Sequence, residues 1–386
     1  MAHYKYLIVG GGMTADAAVR GISELDALGS IGIVSEDVHP PYNRPPLTKG
    51  LWKGDDPDSI WRGTESKGVE LHLGRTVRAI DVKNKSITDD LGTVHSYDKL
   101  LLATGGSPRR LPFNGTTPIV YFRTLEDYRA VRGMTELNHR FAVIGGGFIG
   151  SEIAAGLAMN GRKVTMIFPD DGIGARMYPA DLSQFITGYY REKGVEVLTR
   201  EQVTGMQPLG HTLGIELKSG RAVEVEGVVA GIGITPNTEL AEAAGLKVSN
   251  GIVVDEYLRA NNPDIFAAGD VANFFNPALA KRIRVEHEDN ANTMGTAAGR
   301  AMAGERRPYD HLPFFYSDLF DLGFEAIGDL DSRLETVAEW KEQFREGVIY
   351  YLQAGLIRGV LLWNIFGQVD AARKLIGAPA SARLAA

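Results

Sequence analysis

Tyr6-Leu7-Ile8-Val9-Gly10-Gly11-Gly12-Met13-Thr14-Ala15 is the stretch that settles the architecture. An aliphatic run of strand length enters a glycine turn, and Asp16-Ala17-Ala18-Val19-Arg20 continues with helical composition. Residues 30–34 read as a second strand, ending at Ser35-Glu36. Strand, G-x-G-x-x-A turn, helix, strand and acid, in that order, make the fingerprint of a dinucleotide-binding βαβ unit. Each residue type has a physical reason. Gly10 permits the tight turn, Gly12 lets backbone approach a pyrophosphate, and Ala15 lets the helix pack close to the strand. The helix N-terminus offers unpaired N–H groups and a positive dipole end to phosphates, and Glu36 can accept hydrogen bonds from a ribose 2′-OH. The competing reading is a tight strand–helix turn that binds nothing.

The pattern recurs, which argues against that reading. Phe141-Ala142-Val143-Ile144 is followed by Gly145-Gly146-Gly147-Phe148-Ile149-Gly150 and a helical run, then by a strand over 163–168 with Asp170 just beyond. Gly10 to Glu36 spans 26 positions and Gly145 to Asp170 spans 25. The surroundings repeat as well. Strands over 69–73, 76–82 and 86–88, expected as a small meander, lead to Leu100-Leu101-Leu102-Ala103-Thr104-Gly105. Strands over 195–198, 214–217 and 222–225 lead to Val228-Val229-Ala230-Gly231-Ile232-Gly233. A short strand then ends in Ala268-Gly269-Asp270. A hairpin over 347–363 and a helical run over 370–376 close the chain. The expected class is α/β with two Rossmann-like domains and a C-terminal α+β domain. The boundaries drawn are 1–117 with 249–313, an insertion over 118–248, and 314–386.

Composition narrows the chemistry. With 386 residues, 41 Lys and Arg, 48 Asp and Glu, a net charge of −7 and no cysteine, the chain excludes disulfides, thiolate metal sites and a cysteine nucleophile. No histidine cluster stands at ligand spacing, so no metal is expected. No G-x-S-x-G elbow follows a strand, and the acidic balance makes nucleic acid a poor partner. The N-terminal residues lack a secretory pattern, and residues 348–369 suit a hairpin better than a membrane span. A cytoplasmic protein without a targeting region is the expectation. Two dinucleotide sites in one chain suit electron transfer between them, most economically from a nicotinamide nucleotide to tightly held FAD.

The tandem fingerprints, Ala103-Thr104-Gly105 and Ala268-Gly269-Asp270 together resemble the FAD-dependent pyridine nucleotide oxidoreductases of the glutathione reductase-like superfamily. Arg44-Pro45-Pro46-Leu47-Thr48-Lys49 and the missing cysteines place the resemblance in the branch without a redox dithiol. That branch holds oxygenase ferredoxin reductases, monodehydroascorbate reductases and apoptosis-inducing factor-like proteins. Val285-Glu286-His287, Tyr316-Ser317-Asp318-Leu319 and Leu362-Trp363-Asn364-Ile365-Phe366 are most similar to the apoptosis-inducing factor-like members, over nearly the whole chain.

The resemblance implies FAD contacts from Gly10, Gly12, Ala15, Ser35, Glu36, Arg44, Lys49, Val77, Thr104, Gly105, Arg123, Asp270, His287, Glu288 and Tyr316. It implies NADH contacts from Gly145, Gly147, Phe148, Ile149, Gly150, Asp170, Arg176, Gly233, Glu286, Glu325 and Asn364. Lys49, paired with Glu152, would sit by flavin N5, with His287 near the isoalloxazine and Phe148 over the flavin face. Tyr316 and Glu288 replace the Trp and His of those relatives. Asp170 favours NADH over NADPH, although Arg176 could receive a 2′-phosphate. The implied reaction is hydride transfer from NADH to flavin and onward to a ferredoxin, a quinone or a small molecule. A redox-responsive interaction protein with an NADH-dependent homodimer is the alternative.

Overall fold

The computed structural model describes residues 2–112 and 118–383, so the boundary drawn at 117 and the last residues lie outside the described part. The chain forms two compact units. One comprises Met1–Asn43, Asp58–Ser107 and Thr235–Phe314; the other comprises Arg44–Pro57, Pro108–Ile234 and Phe315–Ala386.

The first unit is organised by β1 (Ala2–Val9), α1 (Met13–Leu25) and β2 (Ile31–Val34). The run Tyr6 to Val9 is apolar at every position because both faces of a parallel strand are covered, and all four residues are buried. β3 (Glu70–His72) lies parallel to β2. The sequence had grouped this segment with the meander, but Leu71 opposite Ile33 extends the parallel sheet instead. The meander is β4 (Val77–Asp81), β5 (Ser86–Asp89) and β6 (Val94–Leu102). β6 is long enough to serve two neighbours on one edge. Its first residues pair antiparallel with β5, and Leu100 to Leu102 pair in parallel with the strand Ile265–Ala267. The sheet order is therefore β3-β2-β1-β6-β5-β4, with the late strand beside β6.

The helix Glu288–Met302 packs on α1 through small residues. A Cβ on Gly299 would stand 2.1 Å from the Ala18 carbonyl oxygen, and one on Gly21 2.1 Å from that of Thr296. Beside this crossing, the wholly buried Asp16 ties residues 62–67 to α1. It accepts from Arg20 Nε at 2.7 Å, Arg62 Nε at 2.8 Å, Thr64 Oγ1 at 2.6 Å and Lys67 Nζ at 3.0 Å. Burial pushes this carboxyl up, but those four donors outweigh it and bring the pKa down from 3.8 to about 2. A depressed folded-state value means stability that is present above the unfolded pKa and lost as pH falls through the folded one. The full contribution is about 2 kcal/mol at neutral pH. Asp16→Asn should therefore narrow the difference in unfolding free energy between pH 7 and pH 3 by about 1 kcal/mol in urea titrations. An unchanged difference would show that Asp16 is not ionised against its donors.

The second unit repeats the parallel plan. Its sheet runs Glu196–Leu198, Lys163–Ile167, Arg140–Ile144, Gly227–Ala230 and Val120–Tyr121, all parallel. A meander of Val203–Leu209, Thr212–Leu217 and Ala222–Val225 follows. Its first strand escaped the sequence reading, because Pro208 and Gly205 interrupt the alternation that marks a strand. The C-terminal sheet has five antiparallel strands, ordered Phe314–Leu319, Leu322–Gly328, Leu356–Trp363, Glu346–Gln353 and Glu335–Glu342. The expected hairpin is its centre, and Trp363 is fully buried there. Among the described residues no helix is long and apolar enough to cross a membrane.

Candidate functional site

In the first unit, β1 delivers the chain to Gly10 at φ +110°, where a Cβ would stand 2.2 Å from the Ala103 carbonyl oxygen. Only glycine fits that approach. Gly12 is the N-cap of α1 and no side chain caps the helix there, as at a helix N-terminus that faces an anion, and Ala15 is fully buried. Ser35 is buried at the end of β2 and its Oγ accepts from Asp37 N; Glu36 beside it is exposed, and Val77 opens β4.

Thr104 and Gly105 are held by a residue the sequence reading missed. Asn237 donates Nδ2 to Thr104 O at 2.9 Å and its backbone N to Gly105 O at 3.0 Å, and its carbonyl accepts from Thr104 Oγ1 at 2.8 Å. Arg284 plays the same part near Asp270. It donates to the Asp270 carbonyl at 3.0 Å and pairs with Glu286 at 2.6 Å. His287 is the N-cap of the following helix and Glu288 its first residue.

The second unit carries the second cradle. Gly145 has φ +120°, with a Cβ position 2.3 Å from the Gly231 carbonyl oxygen; at Gly150 a Cβ would stand 2.1 Å from the Gly145 oxygen. Gly147, the N-cap of the helix Phe148–Met159, faces open space and has no side-chain cap. Ile149 is exposed, while Phe148 is half-buried with its ring 5.7 Å from Phe315 and 6.1 Å from Phe324. Asp170 and Arg176 are ion-paired at 3.1 Å, and Gly233 has φ +91°. Asn364 exchanges two 2.8 Å hydrogen bonds with the Gly323 backbone, and Glu325 Oε2 accepts from Gly367 N at 2.8 Å.

Lys49 and Glu152, 103 positions apart, meet in this unit. Lys49 Nζ lies 2.7 Å from Glu152 Oε1, with the side chains only 13% and 3% exposed. Ser317 Oγ donates to the same oxygen at 2.6 Å and Thr48 Oγ1 to Oε2 at 2.5 Å, so the buried carboxylate has a partner on each oxygen. The ammonium also lies 5.1 Å from the Tyr316 ring centre. Burial, reinforced by the Glu152 charge, pushes the Tyr190 phenol well above its usual value, and it donates to Ser151 O at 3.0 Å. Of the remaining expected contacts, Arg44 accepts from Leu47 N through its carbonyl, and Arg123 N donates to Asp127.

The two glycine cradles fit dinucleotides. At each, backbone closes around a position where only glycine fits, in front of a helix N-terminus that no side chain caps. Among the described residues no group of three or more His, Asp or Glu could hold a metal ion.

Residues 4–295 match the family described as pyridine nucleotide-disulphide oxidoreductase, and 298–342 with 338–378 match the mitochondrion-associated C-terminal domain of apoptosis-inducing factor. The chain is 34% identical to apoptosis-inducing factor 1 of Dictyostelium discoideum, over 97% of this chain and 78% of that protein. It is 33% identical to the ferredoxin–NAD(+) reductase component of the anthranilate 1,2-dioxygenase system of Burkholderia cepacia, over 98% and 96%. Putidaredoxin reductase, in its covalent complex with putidaredoxin, superposes with a TM-score of 0.91 at 29% identity, covering 98% of this chain and 94% of that one. The strands, cradles and buried pair thus belong to a known lineage: the chain is a member of the pyridine nucleotide-disulphide oxidoreductase family, on its apoptosis-inducing factor-like side, and an FAD-dependent NAD(P)H oxidoreductase.

Proposed function

We propose that NADH is the preferred donor, and that electrons leave the flavin directly for an external one-electron acceptor, a small ferredoxin-type protein. The observation that carries the direct exit is the absence of cysteine, since no dithiol stands between flavin and acceptor. Near-complete coverage of a ferredoxin reductase component, and the likeness to putidaredoxin reductase, support the choice of acceptor.

FAD supplies the hydride-accepting centre when bound, and the residues supply binding and orientation. The first cradle, Ser35, Glu36, Val77, Thr104, Gly105 and Asp270 would hold FAD, with Arg44, Lys49, Arg123, His287, Glu288 and Tyr316 toward its ring end. The second cradle, Phe148, Asp170, Arg176, Gly233, Glu286, Glu325 and Asn364 would hold NADH. Lys49 presents a fixed positive charge where negative charge develops on reduction, and Glu152, Thr48 and Ser317 keep its ammonium in place. No protein acid or base is needed for hydride transfer itself.

The same proposal includes a cytoplasmic protein divided into 1–117 with 249–313, 118–248 and 314–386. The match of its C-terminal part to the apoptosis-inducing factor domain supports a second reading, in which reduction by NADH shifts a monomer–dimer equilibrium.

One anaerobic titration tests both. NADH should bleach the yellow protein stoichiometrically, with a specificity constant above that for NADPH, and a ferredoxin should reoxidise it within the dead time of manual mixing. A clear NADPH preference would overturn the donor assignment. A reduced form that persists with every acceptor and shifts its elution volume would favour the switch.

A further inference from the structure

A pocket of about 440 Å³ opens in the first unit over Ala17 of α1, and none of the residues expected to hold either dinucleotide lines it. Its walls are Arg20, Asn43, Trp61, Arg62, Asn292 and Thr296. The volume is that of a small-molecule site. Its chemistry is one-sided.

Arg62 donates Nε to Asp16, Nη1 to Asn43 Oδ1 at 2.7 Å and Nη2 to Asn292 Oδ1 at 2.8 Å. Each carboxamide oxygen is thereby turned to Arg62, which leaves both hydrogens of each amide nitrogen to donate. Each terminal nitrogen of Arg62 keeps one further hydrogen, and Arg20 keeps more, having given Nε to Asp16 and Nη2 to the Arg62 carbonyl. Thr296 Oγ1 already donates to Asn292 O. No carboxylate lines the pocket. Two carboxylates touch the walls from behind: Asp16, fully buried and outnumbered by Arg20, Arg62 and Lys67, and Asp58, which accepts from Trp61 Nε1 at 3.4 Å. What remains is a wall in which donors outnumber acceptors and positive charge exceeds negative, beside the indole of Trp61, which is braced edge-on by Tyr42 at 6.1 Å.

We propose that this pocket binds a small flat molecule bearing one carboxylate or phosphate group, its anion on Arg20, Arg62 and the two carboxamides and its body against Trp61. Arg62 is preorganised by three partners, so binding would freeze little further side-chain entropy, and a guanidinium suits either anion in a bidentate manner.

Calorimetric titration of the FAD-loaded protein with benzoate, phenyl phosphate and benzyl alcohol tests this. One of the two anions should bind one per chain, and the tighter identifies the headgroup. Benzyl alcohol, the same ring without charge, should bind at least tenfold more weakly. Asn292→Asp keeps the acceptor for Arg62 but replaces amide donors with a carboxylate, and Arg20→Gln removes a cation. Each should weaken the anion at least tenfold while flavin content and NADH reduction rate stay unchanged. Absence of saturable binding, equal affinity for the neutral alcohol, or indifference to both substitutions would overturn the proposal; the last would assign the anion to a nucleotide cradle.

Discussion

Glu152→Gln should slow reduction of the bound flavin by NADH at least about tenfold, which corresponds to roughly 1.4 kcal/mol on the barrier, and should lower thermal stability as well. The reason is the near-complete burial of both partners. At the protein surface such a pair contributes little, but with side chains 13% and 3% exposed, removal of one charge strands the other where water cannot solvate it. The cost of breaking a buried pair is about 3–5 kcal/mol. Thr48 and Ser317 aggravate it, since both donate to Glu152 and a carboxamide can accept only through its single oxygen.

Lys49→Met should show a matching loss, and Lys49→Met with Glu152→Leu should be milder than the sum of the two single changes, because neither charge is then left alone. Rapid-mixing absorbance at the flavin band reads the rate, and urea unfolding reads the stability. Strict additivity, with an unchanged rate, would show that the pair is structural scaffolding remote from the flavin.

Gly299→Ala should destabilise the first unit by about 3 kcal/mol, the upper range for overpacking, and so lower its melting temperature by roughly 6–12 °C. The obstacle at Gly299 is the Ala18 carbonyl oxygen, 2.1 Å from the new methyl position, and a backbone atom in a packed helix cannot swing aside as a side chain can. Relief requires moving α1 off its partner helix, which also displaces Thr14 to Asp16 and should reduce flavin retention. Gly133→Ala supplies the contrast. It lies in the helix Leu125–Leu137 with nothing within 4 Å of the methyl position, and it should stabilise by about 0.4–1 kcal/mol. Calorimetric scans of the two variants with bound flavin counted by absorbance decide the matter; equal melting temperatures would refute the close helix contact.

Local chemistry explains which parts of this structure were legible. Both βαβ turns were, because Gly10 and Gly145 answer to φ/ψ requirements that no other residue meets, and the buried strands announce themselves as unbroken aliphatic runs. The parallel pairing of Glu70–His72 was not, since its half-exposed pattern carries no mark of which neighbour it will choose. Lys49 and Glu152 emerged only through a motif resemblance, and their helpers did not emerge at all. Thr48 and Ser317 are ordinary hydroxyls until the fold brings them to one carboxylate across 104 and 165 positions. Asn237 and Arg284 are of the same kind, as polar residues in loops whose targets are backbone carbonyls. A carbonyl leaves no trace in the side-chain sequence.

The chain changes unit five times, after residues 43, 57, 107, 234 and 314. This sets the order of events at the ribosome. β6 receives its parallel neighbour only when residues 265–267 have emerged, and α1 its helical cover only with residues 288–302. At about 5–20 residues per second, β6 waits roughly 8–33 s with an apolar edge unpaired. The second unit has most of its parallel sheet in hand during that interval, since residues 120–230 are synthesised first. The amino-terminal half of the molecule is thus made first and completed late, so its exposure to chaperones and to misassociation is set by the length of the insertion it waits for.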